Sequence, residues 1–390
     1  MFGATVLVPL LVNGAIAEAG GSAVLDPGVT LLAAGLGTLI FHVLTKMQVP
    51  VFLGSSFAFM PPMIAAGAGG ASWGTIGGGI AAAGVIYLLV AGIAKVVGPG
   101  FIRRLFPPVV TGPVIAIIGI TLAPVAIDMA SADWLLAVVT LGSVVIASIF
   151  FRGLFRMLPI LTGVVVGYVV AAVLGRVEYG AMSDAAWVGA PTFTWGSFDW
   201  EIVVLIAPVA LVTMIEHVGD IVANGRVVKK DFLQEPGLHR TYLGDGVATI
   251  LAGLIGGPAN TTYSENTGVL AVTRVYDPSV LRIGAVFAVA LGFIPKLAGL
   301  LATVPVGVLG GVSIVLFGMI ASVGMRTLSE AELDFSQSRN LLIVGLILVF
   351  GLGVSGLDSL AIGDVSISGL ALAAAIGVVA NLVLPDRKED

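Results

Sequence analysis

The stretch TTYSENTGVLAVTR, residues 261–274, places a carboxylate, Glu265, between apolar runs on both sides. Only 11% of the 390 residues are charged and 58% are hydrophobic, with a mean hydropathy of +1.10, so that carboxylate needs a reason. The reason starts with the solvent. A water-soluble domain carries roughly twice this share of charge. Apolar runs of about 18 to 22 residues recur along the whole chain, as from Thr75 to Val97, Pro108 to Ile127, Val203 to Val222 and Gly363 to Leu384, and each can cross the ~30 Å hydrocarbon layer as a helix. The sequence therefore reads as an all-α polytopic membrane protein.

Breaks at Gly, Pro and charged residues divide the chain into fourteen candidate segments: 1–12, 28–45, 49–68, 75–97, 108–127, 134–151, 158–175, 202–222, 243–257, 261–275, 279–299, 306–323, 339–354 and 365–384. The 53 Gly and 19 Pro suit closely packed and interrupted membrane helices, so small-residue seams are expected at helix contacts. The absence of Cys excludes disulfides and thiolate metal sites, and three scattered His argue against a structural zinc. No metal or cofactor is expected. Met1 opens straight into FGATVLVPLLV with no basic region before it, so no cleavable signal peptide is read. The run from Met1 to Val12 is about half the length needed to span, which points to a truncated start.

Lys and Arg set the orientation. If the first segment leaves the cytoplasm, the inner loops hold Lys46, Lys95, Arg103, Arg104, Arg152, Arg156, Arg226, Lys229, Lys230, Arg240, Arg274, Arg282, Arg326, Arg339, Arg387 and Lys388. That is 16 of the 18 basic residues, with only Arg176 and Lys296 outside. A multi-pass protein of the cell membrane with both termini cytoplasmic follows.

The largest external stretch, Arg176 to Trp200, follows the seventh segment and divides the chain into two sets of seven. An odd number per set makes the second half run inverted. Two echoes accompany this division. VPVFLGSSFAF (49–59) in the third segment and GGPANTTYSEN (256–266) in the tenth are both interrupted, and GPVIAIIGI from Gly112 and GVSIVLFGM from Gly311 share glycines seven apart. Interrupted segments at matching positions of two inverted halves mark a midplane substrate site.

Four carboxylates lie within segments: Glu216, Asp220, Asp245 and Glu265. An ionisable group there costs a few kcal/mol on insertion scales and is a functional candidate by default. Glu216 and Asp220, four residues apart in APVALVTMIEHVGDIV, share one helix face. Two carboxylates so placed repel, so one of them can hold a proton near neutral pH, as a proton-coupled carrier requires. Partial hydration of Asp220 near the helix end is the plainer alternative. His217 projects about 100° away from Glu216 and suits a packing or hydrogen-bonded role. Asp245 falls in the first turn of the ninth segment, where it either complements the helix dipole or supports the site. If the chain is extended to about Tyr263 and helical afterwards, the N–H groups of Ser264, Glu265 and Asn266 point free from a helix N-terminus. A carboxylate beside free amides suits a small, flat, uncharged ligand carrying N–H and C=O groups. Gly268 would let a neighbouring helix approach, and Arg274 would mark the cytoplasmic end.

ENTGVLAVTR, from Glu265 to Arg274, resembles the signature of the nucleobase–ascorbate transporters: an acidic or amide residue, Asn, any residue, Gly, four more, Thr and a basic residue. MFGATVLVPLL, VPVFLGSSFAF, FPPVVTG, IEHVG, EPGLHR, GPANTTYSENTGV and GGVSIVLFG follow in the order of the uracil-permease branch, so the resemblance covers essentially the full chain. It implies fourteen transmembrane segments in two inverted seven-segment repeats, with short strands in the broken third and tenth. Residues 1–97 and 201–303 would form a core domain, and 98–200 and 304–390 a gate domain. It implies proton-coupled uptake of a nucleobase, uracil first, with xanthine or uric acid as the alternative and an anion carrier on the same fold ranking last. No HExxH motif points to an enzyme.

Carried over by motif, Glu216 would bond the N–H and C=O edge of the ring and Glu265 the opposite edge. Backbone amides of Phe57 and Ser264 would meet carbonyl oxygens, while Ala4, Ser56, Tyr263, Asn266 and Phe317 line the pocket. Glu216 and Asp220 would couple the proton, with Asp245 and His217 supporting the site. Three positions depart from the pattern: Asp220 stands where uracil carriers often have His, Phe317 where Tyr is familiar, and Ser264 replaces Gly. Glu265, where purine carriers commonly have Gln, argues for a pyrimidine. The implied partners are the nucleobase and the lipid bilayer, with no nucleic acid and with a homodimer as the oligomeric option.

Overall fold

Gly, Pro and short polar breaks decide where each helix starts and stops. The computed structural model describes residues 2–98, 100, 104–152, 158–355, 360–362 and 365–385; Met1, Arg103, Arg156, Gly363, Arg387 and Lys388 lie outside the described residues. Span 1 is α1 (Phe2–Glu18), span 2 is α2 (Pro27–Leu44), span 3 is strand β1 (Leu53–Ser55) with α3 (Met60–Ala68), and span 4 is α4 (Trp73–Val97). Span 5 is α5 (Pro108–Thr121) running into α6 (Ala123–Ser131), span 6 is α7 (Trp134–Phe150) and span 7 is α8 (Pro159–Val173). After a short helix α9 (Gly180–Asp184), span 8 comprises α10 (Trp200–Ile206), a 3-10 turn (Ala207–Val209) and α11 (Ala210–Val228). Span 9 is α12 (Leu238–Ile255), span 10 is β2 (Asn260–Thr262) with α13 (Ser264–Thr273), and span 11 is α14 (Pro278–Gly292) with α15 (Pro295–Ala302). Span 12 is α16 (Val306–Glu330), span 13 is α17 (Ser338–Ser355), and span 14 joins a hairpin, β3 (Leu360–Ile362) and β4 (Val365–Ile367), to α18 (Gly369–Val383).

Hydropathy alone would have found fewer spans. Among the described residues, five helical stretches are long and apolar enough to cross as single rods, and a sixth is α14 with α15, bent by 82°. Pro295 opens α15 at that bend, because its ring cannot continue the preceding helix. Span 1 extends to Glu18, beyond the Val12 read as its end.

The inverted repeat is visible in the packing. α2 packs on α14 as α12 packs on α4, α1 meets α3 as α11 meets α13, and α5 meets α17 as α16 meets α7. The pairs α5–α18 and α16–α8, α7–α8 and α17–α18, and α1–α16 and α11–α5 behave likewise. Exchanging each span for the one seven later converts one member of every pair into the other, and β1–β2, α2–α12 and α5–α16 map onto themselves.

Small residues make the closest of these contacts. A Cβ on Gly77 would lie 2.4 Å from Gly253 O, and one on Gly253 would lie 2.4 Å from Gly77 O. Gly84 and Gly246, seven residues along, repeat the contact, and Gly28 with Gly292 and Gly35 with Ala285 form the equivalent seam between α2 and α14. The glycine echo seen in sequence has a different explanation. Gly112 and Gly119 both face α16, whereas Gly311 lies against Ala137 and a Cβ on Gly318 would meet nothing within 4 Å, so those glycines are not structural equivalents.

The stretch between spans 7 and 8 forms a strap over one end of α2, α4, α12 and α14. Gly189 N–H donates to Phe293 O at 3.1 Å, Gly196 N–H to Leu254 O at 3.0 Å, Ser197 N–H to Gly74 O at 2.9 Å and Thr192 N–H to Asp26 Oδ2 at 2.8 Å. Lys296 donates to Ser183 O and Ala185 O and lies 5.6 Å from the Trp187 ring centroid, so it shares this face with the strap. Gly253→Ala is expected to lose about 1–3 kcal/mol, because backbone on both sides cannot yield to the added methyl. Gly92→Ala, where a Cβ would meet nothing within 4 Å, should be neutral or gain up to about 1 kcal/mol from helix propensity. Thermal unfolding of the two variants in detergent would reveal the opposite signs.

Candidate functional site

Two broken spans meet at the centre of the molecule. β1 pairs antiparallel with β2 in the register Leu53–Thr262, Gly54–Thr261 and Ser55–Asn260, and Ser56 N–H extends the ladder to Ala259 O at 2.9 Å. Side chains on neighbouring helices serve the outer edges of the strands. Thr38 of α2 accepts from Leu53 N–H at 2.9 Å, and Thr249 of α12 donates to Asn260 O at 3.1 Å, two equivalent devices in the two halves. Asn260 Nδ2 reaches Ala33 O and Ala248 O, fastening β2 to both helices.

Tyr263 locks the strand pair. Its hydroxyl donates to Ser55 O at 3.0 Å and accepts from Thr5 Oγ1 at 3.4 Å, while Ser55 Oγ donates to Thr5 O at 3.0 Å. Gly54 is required beneath the ring, since a Cβ there would stand 2.4 Å from Tyr263 Cε2. Helices α3 and α13 begin just after the strands, and neither Phe59 nor Tyr263, at their N-caps, supplies a side-chain cap. The Asn266 amide, expected to point free, instead donates to Tyr263 O at 3.1 Å, because the first turn of α13 closes by an i to i−3 bond. A Cβ on Gly268 would meet nothing within 4 Å, so no helix makes the close approach expected there. Arg274 ends α13 in a left-handed conformation.

Glu216 projects from α11, half-buried, and experiences the charges of Asp220, Glu265 and Asp245. Asp220, one turn later and buried, accepts from Thr262 Oγ1 at 3.0 Å, which ties α11 to β2. Glu265, also half-buried, lies in the first turn of α13. His217 turns away from Glu216 as its helical position dictates. Its Nδ1 is 2.7 Å from Asp245 Oδ2, both side chains are fully buried, and the ring packs on Phe41 and Tyr242. The dipole reading of Asp245 is therefore corrected: α12 starts at Leu238, which puts Asp245 two turns inside, opposite His217.

Phe57 and Phe317 meet edge to face, with centroids 6.1 Å apart and planes at 75°, so span 3 touches span 12. Ala4 is buried on α1, which packs against β1 and α16. Ser264 opens α13. The buried Ser56 Oγ and Asn266 Oδ1 have no hydrogen-bond partner among the described residues. Three further residues at the junction were not read from sequence: Thr5, Thr262 and Asn224. Asn224 Nδ2 donates to Pro50 O at 3.0 Å beside Asn266 Nδ2 at 2.8 Å, so two amides hold the chain entering β1. Its spacing was a usable signal, since Glu216, Asp220 and Asn224 recur every four residues on one face. Among the described residues, no three His, Asp or Glu are placed to hold a metal ion.

The permease-family model Xan_ur_permease matches residues 1–360. The chain is 46% identical over 406 residues to the uracil permease of Bacillus caldolyticus, covering 100% of this chain and 90% of that protein. It is 42% identical over 409 residues to the uracil permease of Bacillus subtilis (strain 168), covering 100% and 91%, and 38% identical over 394 residues to that of Escherichia coli (strain K12), covering 98% and 88%. The transmembrane domain of the cyanobacterial bicarbonate transporter BicA superposes with a TM-score of 0.58 at 14% identity, over 98% of this chain and 96% of that one. SLC26A9 superposes with a TM-score of 0.62 at 12% identity, over 98% and 63%. These two share the fold. With paired strands inside broken helices, two inverted sets of seven spans and relatives that are permeases rather than enzymes, the chain belongs to the nucleobase–ascorbate transporter family of membrane permeases.

Proposed function

We propose that this permease imports a nucleobase, uracil before others, together with a proton and by alternating access. The observation that carries the reading is the gathering of Glu216, Asp220 and Glu265 at the uncapped start of α13, with the buried Ser56 Oγ and Asn266 Oδ1 unpartnered among the described residues. Such a site offers strong acceptors and backbone donors together, which matches a neutral ring bearing alternate N–H and C=O groups. The relatives named above as uracil permeases support the choice of base.

In this reading Glu216 accepts a ring N–H, Glu265 holds the opposite edge, and the amides of Phe57 and Ser264 donate to carbonyl oxygens. Tyr263, Asn266, Ser56, Ala4, Phe57 and Phe317 close around the ring. A proton on the Glu216/Asp220 pair removes a charge that would otherwise have to travel in a low dielectric, so the loaded core moves past the gate. His217 and Asp245 hold the helix that carries Glu216 against α12. The core comprises 1–97 and 201–303 and the gate 98–200 and 304–390, with the strap around 186–199 riding on the core to which it is bonded. Both termini face the cytoplasm: Lys46, Lys95 and Arg240 act together on His239 at one end, while Arg176 and Lys296 belong to the other. Asp220, a residue more usual in purine carriers, keeps xanthine or uric acid as the second reading. An anion substrate is disfavoured by the negative site.

Labelled-uracil uptake in permease-deficient cells should collapse when a protonophore is added, and uptake that survives would refute coupling. Excess unlabelled uracil should suppress that signal while xanthine should not; the reverse ranking would favour the purine reading. Glu265→Gln, titrated calorimetrically in detergent, is expected to bind uracil about ten- to a hundredfold more weakly, and unchanged affinity would remove Glu265 from the site.

A further inference from the structure

Below the end of α11 lies a cavity of about 400 Å³ that the transport reading does not use. Arg226, Lys229 and Lys230 supply its charge and Ile221, Phe232 and Leu233 its apolar walls, with Asp231 also on the lining. The chain from Lys229 to Gly237 links α11 to α12 at the end where Lys46, Lys95 and Arg240 gather. This is the face with the excess of basic residues.

Basic residues at a helix C-terminus complement its dipole, and that alone would explain a solvated Lys. Two features exceed it. Lys229 adopts φ 59°, ψ 43°, a conformation for which Gly or Asn is the cheaper choice, and its amide closes the helix on Gly225 O. The cations also share their cavity with apolar side chains, of which Phe232 and Leu233 are buried in the protein. Charge beside apolar side chains at the end of a membrane helix matches an amphiphile with an anionic head, and clustered Lys and Arg just beyond a membrane helix attract anionic headgroups.

We propose that this cavity binds the phosphate-bearing headgroup of an anionic phospholipid of the inner leaflet. Arg226, Lys229 and Lys230 contact the phosphate, and the half-buried Val222 flanks the start of the acyl region. The position carries a consequence for the gate. Arg226 Nη1 lies 3.6 Å from Glu330 Oε2 at the end of α16, while Arg326 Nε donates to Glu330 Oε1 at 2.6 Å. A phosphate on Arg226 competes with Glu330, so the bound lipid loosens one contact between α11 and α16.

The test uses the purified full chain in detergent, with phosphatidylglycerol and phosphatidylcholine as probes and native mass spectrometry as the readout. The wild type should retain phosphatidylglycerol in preference to phosphatidylcholine, and each of Arg226→Gln, Lys229→Gln and Lys230→Gln should weaken that preference about fivefold. Lys229→Gly keeps the test independent of folding, because Gly fits the left-handed conformation better than Lys while removing the charge. An unchanged preference in these variants overturns the proposal. Displacement of the lipid by an equal concentration of inorganic phosphate also overturns it, assigning the cavity to free phosphate instead.

Discussion

A backbone amide or carbonyl in the hydrocarbon layer must be bonded within the protein, at a cost of several kcal/mol if it is not. That constraint governs the centre of this permease. Spans 3 and 10 leave the helical conformation, and their exposed groups survive because β1 and β2 bond each other. Everything nearby serves that pairing. Thr38 and Thr249 complete the outer edges, Asn260 fastens one strand to two helices, and Tyr263 fits over Gly54 only because no Cβ is there. The glycine seams bring α2, α4, α12 and α14 close enough to enclose the strands, so composition and site are linked through packing.

Charge is tolerated at the same place for a related reason. The helices that follow the strands begin without side-chain caps, and Glu265 lies in the first turn of α13, where the positive end of the dipole favours a carboxylate. Asp220 is bonded by Thr262 and Asp245 is matched by His217, whereas Glu216 and Glu265 stay half-buried. The buried acids therefore divide into bonded ones that fix helix positions and half-buried ones available for chemistry.

Much of this was legible in the sequence. Hydropathy and interruption located the fourteen segments, the odd number in each half implied inversion, and carboxylates in apolar surroundings singled out the candidate site. The misreadings share one cause. Asn266 bonding Tyr263 O, Asp245 two turns inside its helix and the open space at Gly268 depend on where a helix starts or what packs on it, and local pattern fixes neither. Thr5 and Thr262 were invisible for a different reason. A Thr in a membrane span is ordinary, and only contacts across 258 or 42 residues of sequence distinguish these two.

The two halves agree in packing and diverge in chemistry. Glu216, Asp220, Asp245 and Glu265 all come from spans 8 to 10, whereas the matching spans 1 to 3 contribute Ala4, Thr5, Ser56 and Phe57. A symmetric set of acids would double the repulsion across a low-dielectric site without doubling the donors available to balance it. The repeat therefore works best as a symmetric scaffold with unlike faces, the acids coming from one half alone and hydroxyl and aromatic groups from both. The same asymmetry appears in shape, since α4 is one rod of 25 residues while its counterpart bends by 82° at Pro295. Two inverted halves can share one packing plan because seams of small residues specify it, and they remain free to differ wherever a side chain faces the site.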